Sequence, residues 1–267
     1  MLRSLALAFL AASTFPVFAQ NAPSEVVKDL APTGKIRAAI NYGNGVLAQR
    51  DAATGELKGI TVDLARELSK RLNVPVELVP FPAAGKVFEA NKSGAWDIAF
   101  LAIEPERAEE IEFTAPYVLI EGTYMVPADS PLKTVGDVDR DGVRIATGPG
   151  SAYDLFLSRN LEHAKLVRAE IGGGSALIAL FVREKLEAAA GVRQALESYA
   201  VNHPEVRVMS DRFMEIRQAM GTPKGRRAGV RYLGAFIEDM KASGFVADAL
   251  KRSGQSASVA PLAPPAR

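Results

Sequence analysis

WDIAFLAIEPERAEEIEFTAPY, residues 96–117, joins an apolar run to a helix signal. Asp97 to Ile103 is nearly all apolar, as expected of a strand covered on both faces of a parallel sheet. A helix opening at Pro105 follows, since the first helical turn does not use the N–H that proline lacks. Arg107 then falls in the first turn, at the positive end of the helix dipole, where acidic side chains are favoured. Two readings resolve that conflict. Either Arg107 and free backbone N–H groups hold an anion at the carboxyl edge of the sheet, where open α/β folds bind ligands, or Arg107 pairs on the surface with Glu110 at i,i+3, worth only about 0.2–0.5 kcal/mol.

On either side of this stretch, short apolar runs alternate with amphipathic ones, the sign of βαβ units. Strands are expected at 36–40 and 76–79, with the loop NYGNG at 41–45 after the first and a short helix over 85–91. Leu64, Ala65, Leu68 and Leu72 fall on one helical face between them. A second series predicts strands at 143–146, 165–168, 188–192, 206–209 and 216–220, and helices after Ser151, over 176–186, 227–240 and 245–252. Ser151 is placed to cap its helix. The expected class is α/β in two lobes: 34–122 with 220–254, and 123–219.

Residues 1–19, MLRSLALAFLAASTFPVFA, combine one basic residue, an apolar run too short to span a bilayer and a small-residue ending. They read as a signal peptide cut before Gln20, which places the chain in the periplasm. Residues 20–33 read as an N-terminal extension, and 255–267, QSASVAPLAPPAR, as a disordered tail outside the fold. The 32 Lys+Arg less Arg3 balance the 31 Asp+Glu, so nothing points to nucleic acid. With no cysteine and two histidines, His163 and His203, neither a nucleophile triad nor a metal cluster is well supplied. No catalytic residue, metal or cofactor is expected. GPGSAY, 148–153, lacks the third glycine of a dinucleotide fingerprint and any Walker lysine.

GITVDLARELSKRLNVPVELVP (59–80), AWDIAFLAIEPERAEEIEFTAPY (95–117) and DGVRIATGPGSAYDLF (141–156) resemble, in order, blocks of the bacterial family 3 extracellular solute-binding proteins, the amino-acid-binding components of ABC importers. The resemblance implies a two-lobed periplasmic-binding-protein fold of type II with two hinge strands, near 122–126 and 217–221, and a ligand cleft between the lobes. It implies a monomer that closes on a small carboxylate-bearing solute and delivers it to a membrane permease. It also places Arg107 on the ligand's carboxylate, a role that suits the planar guanidinium fork.

The chain departs from the family where hydroxyl residues before that arginine give way to Leu101, Ala102 and Ile103, so that only backbone at Ala102 could contribute. Gly150, Ser151 and Ala152 match a loop that completes a carboxylate cradle, against the alternative of a plain helix cap. Asn41 and Tyr42 fall where the family offers polar contacts and an aromatic wall. Phe81, Phe100 and Tyr117 are further lining candidates, each also a candidate for the core. Where relatives that take α-amino acids place an aspartate for the ammonium, this chain has Val192-Arg193-Gln194. Arg193 either meets a second anionic group or is solvated at a helix start. The alternatives to a transport component are a cyclohexadienyl-dehydratase-like lyase, with Glu104 or Glu121 as general base, and a sensor subunit of a membrane receptor.

Overall fold

A computed structural model describes residues 23–264. The expected signal peptide lies outside the described residues. The first series comprises α1 (Ser24–Leu30), β1 (Ile36–Asn41), a small hairpin of β2 (Gln49–Arg50) and β3 (Leu57–Lys58), α2 (Ile60–Leu72), β4 (Val76–Phe81), α3 (Ala84–Glu89), β5 (Ile98–Ala102) and α4 (Pro105–Ala108). Strand β6 (Ile111–Pro127) leads into β7 (Arg144–Thr147), α5 (Ala152–Asn160), β8 (Lys165–Arg168), α6 (Gly174–Glu184), β9 (Ala188–Val192), α7 (Arg193–Ala200) and β10 (Val206–Val208). Strand β11 (Met214–Pro223) returns the chain to α8 (Arg227–Ala242), α9 (Phe245–Arg252) and β12 (Ser258–Val259).

The main sheet runs β4-β1-β5-β11-β6-β9-β7-β8. β1 is parallel to β4 and β5, and β7 is parallel to β8 and β9. Between these two parallel units lie β11 and β6, antiparallel to each other and to their outer neighbours. Each parallel unit with its helices is one lobe, and the expected hinge stretches at 122–126 and 217–221 fall within the two shared strands.

Strand β5 is buried along its whole length because both faces are covered. Successive side chains point to opposite faces, so Ile98, Phe100 and Ala102 join the larger core cluster while Ala99 and Leu101 join a smaller one around Trp96, Val87 and Ile111. Asp97, fully buried at the foot of β5, accepts from the Arg37 backbone N–H at 3.0 Å, Arg37 Nε and Nη2 at 2.9 Å, and Arg226 Nη1 at 3.0 Å. Burial pushes its carboxyl pKa up, but these arginine bonds outweigh burial and hold it below the usual carboxylate range.

At both ends of the described residues, segments outside the expected lobe boundaries pack on the fold. Helix α1 packs on α8, where Asp29 accepts from the Gly229 N–H at 3.0 Å and a Cβ on Gly229 would sit 2.7 Å from Leu30. Far from hanging free, the stretch after Gln255 forms β12, antiparallel to Val118 and Leu119 of β6. Lys241, its side chain 1% exposed, donates Nζ to Pro116 O at 3.1 Å and Pro261 O at 2.9 Å. Composition suggested disorder, but this part of β6 has unpaired backbone groups on one edge, and the tail satisfies them. Helix α7, for which the sequence offers a start at Arg193 but no range, begins directly at the end of β9.

Candidate functional site

A cavity of about 510 Å³ lies between the two lobes, within the roughly 300–1,000 Å³ usual for small-molecule sites. Its wall is built from the carboxyl ends of β1, β5 and β9, the starts of α5, α6 and α7, two residues of β11 and the segment after α9. Crevices outside the carboxyl ends of parallel strands are where open α/β folds place ligands.

Arg107 lines this cavity with its side chain fully buried. Nη1 donates to Ala102 O at 3.0 Å, Nη2 donates across the cleft to Gly150 O at 2.8 Å, and Nε is buried with no partner among the described residues. Burial lowers its pKa to about 10, against the opposing pull of Glu104 and Glu106. Helix α4 is only one turn long, so little macrodipole exists there, and the two carbonyls rather than helix position hold the guanidinium. The surface pair with Glu110 does not form; Glu110 meets Asn91 and Lys92 instead. Glu104 and Glu106 are both bound across the cleft by Arg159, at 2.6 and 2.8 Å. Burial of the Glu104 carboxyl raises its pKa despite that contact.

Opposite Arg107, Gly150 takes φ +66°, and a Cβ there would lie 2.9 Å from Gly85 Cα on the other lobe. The two backbones therefore meet through glycine, which alone tolerates both the left-handed φ and the approach. Gly150 N–H donates to Asp154 Oδ2 at 2.9 Å, and Ser151 Oγ accepts from the Asp154 N–H at 3.1 Å. Ser151 is thus a helix cap, as its alternative reading held, while Ser151 and Ala152 also line the cavity. Because the N–H of Gly150 is used internally, the cradle expected of it is reduced, and its carbonyl serves Arg107 instead.

Asn41 and Ala102 also line the cavity, and Asn41 Oδ1 accepts from the Gly43 N–H at 3.1 Å. Tyr42, Tyr117 and Arg193 do not line it. Tyr42 points to the core and to the Arg50 guanidinium, 5.4 Å from its ring centre, because the side chain after Asn41 falls on the opposite side of the strand end. Tyr117 is fully buried, edge-to-face with Phe100 at 6.2 Å, and its hydroxyl has no partner among the described residues. Phe100 lines the cavity and Phe81 packs in the smaller core.

Arg193 lies off the cavity wall, held by protein partners and with its side chain only 17% exposed. Nε donates to Glu121 at 2.6 Å, Nη1 to Met209 O at 2.9 Å, and Nη2 to Ser210 O at 2.9 Å and Asp211 O at 3.1 Å. Glu121 also meets Arg212, so both candidate general bases, Glu104 and Glu121, are tied to arginines and off the cavity wall. His163 sits beside Asp141, and His203 stacks on Tyr199, both away from the cavity. Among the described residues no group of His, Cys, Asp or Glu is arranged to hold a metal ion.

The wall also carries residues that sequence reasoning passed over. Gln218 faces the cavity from β11 at 5% exposure, in step with buried Ile216 and Met220. A glutamine in register with apolar Ile216 and Met220, on the face opposite Glu215 and Arg217, was the signal that could have found it. Gln194, at the start of α7, lines the cavity with Oε1 buried and unpartnered among the described residues. Gln255 and Ser256 reach the wall from the segment read as disordered.

The wider similarities agree with this arrangement. A curated glutamine-binding protein of Geobacillus stearothermophilus is 24% identical over 136 residues, 49% of this chain and 51% of that protein, so the match spans about half the relative's length. A solved solute receptor for L-cysteine of Neisseria gonorrhoeae superposes with a TM-score of 0.74 at 22% identity, covering 85% of this chain and 93% of that one. The ancestral amino acid-binding protein AncCDT-1, a precursor of cyclohexadienyl dehydratase, gives 0.71 at 22% identity, covering 85% and 97%. At such identities these structures establish the fold, the two-lobed type II periplasmic-binding-protein architecture. The family model for bacterial extracellular solute-binding proteins, family 3, matches residues 47–255, from the loop after β1 to the segment after α9, and the chain belongs to that family.

Proposed function

We propose that this protein is the periplasmic solute-capturing component of an ABC importer, closing its lobes on a small carboxylate-bearing solute: an amino acid, a derivative of one, or an organic acid. Arg107 is the anion contact, with Ser151, Ala152, Asn41 and Ala102 around it. One observation carries this assignment: a fully buried guanidinium on the wall of an interlobe cavity, with an unpartnered Nε and no carboxylate in ion-pair contact among the described residues. A buried cation of that kind is stabilised by an anion. The similar proteins named above, a glutamine-binding protein and a receptor for L-cysteine, direct the first ligands to be tried. Ligand touching both lobes favours the closed state by its differential affinity, and a permease can read that shape.

A thermal-shift screen of amino acids, their derivatives and organic acids tests the assignment. At one hundred times its Kd a true ligand stabilises by about 2.7 kcal/mol, and Arg107→Ala removes that shift while leaving a cooperative melt. Retained binding in the variant takes Arg107 out of the site. Formation of an aromatic product from prephenate or arogenate would make the protein a lyase instead.

A further inference from the structure

Charge on the cavity wall is uneven. Arg107 is the one fully buried charged group there among the described residues. Glu197 is the one carboxylate, but its side chain is 52% exposed and its Oε1 already lies 3.5 Å from Arg193 Nη1. Val192, the residue at the end of β9, adds apolar surface. What the wall offers in place of acids is carboxamides. Gln218 and Asn41 are 5% and 8% exposed, and the buried Gln194 Oε1 has no partner among the described residues. No hydrogen bond from the Gln218 side chain to another described residue forms either.

A carboxamide presents two donors and an acceptor, which matches a group that both gives and takes a hydrogen bond, such as a hydroxyl or an amide. An ammonium brings a full charge as well. Buried beside a guanidinium, with no buried carboxylate on the wall to neutralise it, that charge is desolvated without compensation. Resting on the carboxylate-capture assignment above, we propose that the cavity selects carboxylates whose remaining polar groups are neutral hydroxyls or amides and discriminates against those bearing a free ammonium. Gln194 and Gln218 are then the specificity-determining side chains.

The test uses matched trios titrated by calorimetry into the full-length mature protein: glutamine, N-acetylglutamine and the 2-hydroxy analogue of glutamine, with the same three forms built on serine, leucine and glutamate. In at least one trio the hydroxy or N-acetyl form is expected to bind 10-fold or more tighter than its amino parent. Gln194→Glu, an isosteric change that adds a buried carboxylate, should reverse that preference by 10-fold or more. Gln218→Glu serves the same purpose should the first variant fail to give a native circular-dichroism spectrum. Tighter binding of the amino parent in every responding trio overturns the selectivity while leaving carboxylate capture intact. An unchanged preference in a folded glutamate variant removes the two glutamines from that role. Silence from all compounds, including simple organic acids, removes the capture assignment and the selectivity with it.

Discussion

Arg107 and Arg193 occupy matching local positions, each in the first turn of a helix that follows a buried strand, β5 in one lobe and β9 in the other. Their surroundings differ. Arg193 is consumed by Glu121 of β6 and by three backbone carbonyls of the 209–211 segment, so it ties α7 to the shared strand. Arg107 meets two carbonyls, one on each lobe, and keeps a donor unspent. Local position therefore does not separate a structural clamp from a ligand contact. Distant chain that supplies partners does: Glu121 and the 209–211 carbonyls consume Arg193, and on the proposed function Arg107 is the one left to an incoming anion.

Substitutions can break this contrast. The largest effect expected is on Arg107→Lys, where a point charge cannot span Ala102 O, Gly150 O and a planar carboxylate together. Affinity for the solute identified by thermal shift should fall about 100-fold, ~2.7 kcal/mol, with a smaller change in melting temperature. Arg193→Ala should do the reverse. Loss of a mostly buried, fully bonded guanidinium should cost about 2 kcal/mol of stability, or roughly 4–8 °C in Tm, while calorimetry finds affinity within about threefold. Comparable affinity losses in both variants would erase the distinction.

The foot of β5 sharpens the picture with pH. Asp97 is held below its ordinary pKa, so its contribution is present above the unfolded value of about 3.9 and is lost as pH falls through the lower folded value. Asp97→Asn should cost about 1–2 kcal/mol at pH 7. In urea titrations the gap to wild type should close as pH drops below about 4. A gap that does not begin to narrow as pH falls below about 4 would mean that shape, not charge, holds this corner. Arg159→Gln, which cuts the contacts from partly exposed Arg159 to buried Glu104 and exposed Glu106, should cost about 1 kcal/mol, since Arg159 stays partly in water. Its signature is more open lobes in small-angle scattering. Smallest is Tyr117→Phe, expected within about 0.5 kcal/mol in chemical denaturation, since the hydroxyl has no partner to lose among the described residues.

Much of the fold was legible because periodicity reports burial. The all-apolar run at 98–102, the helical face of α2 and the 188–192 strand all read correctly for that reason. Arg107 was legible as a side chain at odds with its neighbourhood, although the helix dipole invoked for it shrinks to a single turn. Tyr42 and Arg193 were misplaced because their fates depend on Arg50 and on Glu121, residues that local sequence does not bring near. Gln194 was named but given no role and Gln218 was passed over, because a lone glutamine carries meaning only once burial is known. The tail was misread because backbone pairing to β6 is invisible to composition.

Lys241 gives that pairing an experimental handle. Its amine is roofed by Pro261 and floored by Pro116, so an acylating reagent should reach most lysines long before this one. The rate at which Lys241 becomes labelled is then a clock for the lifting of the final strand, readable by mass spectrometry on the unmodified protein without any introduced probe.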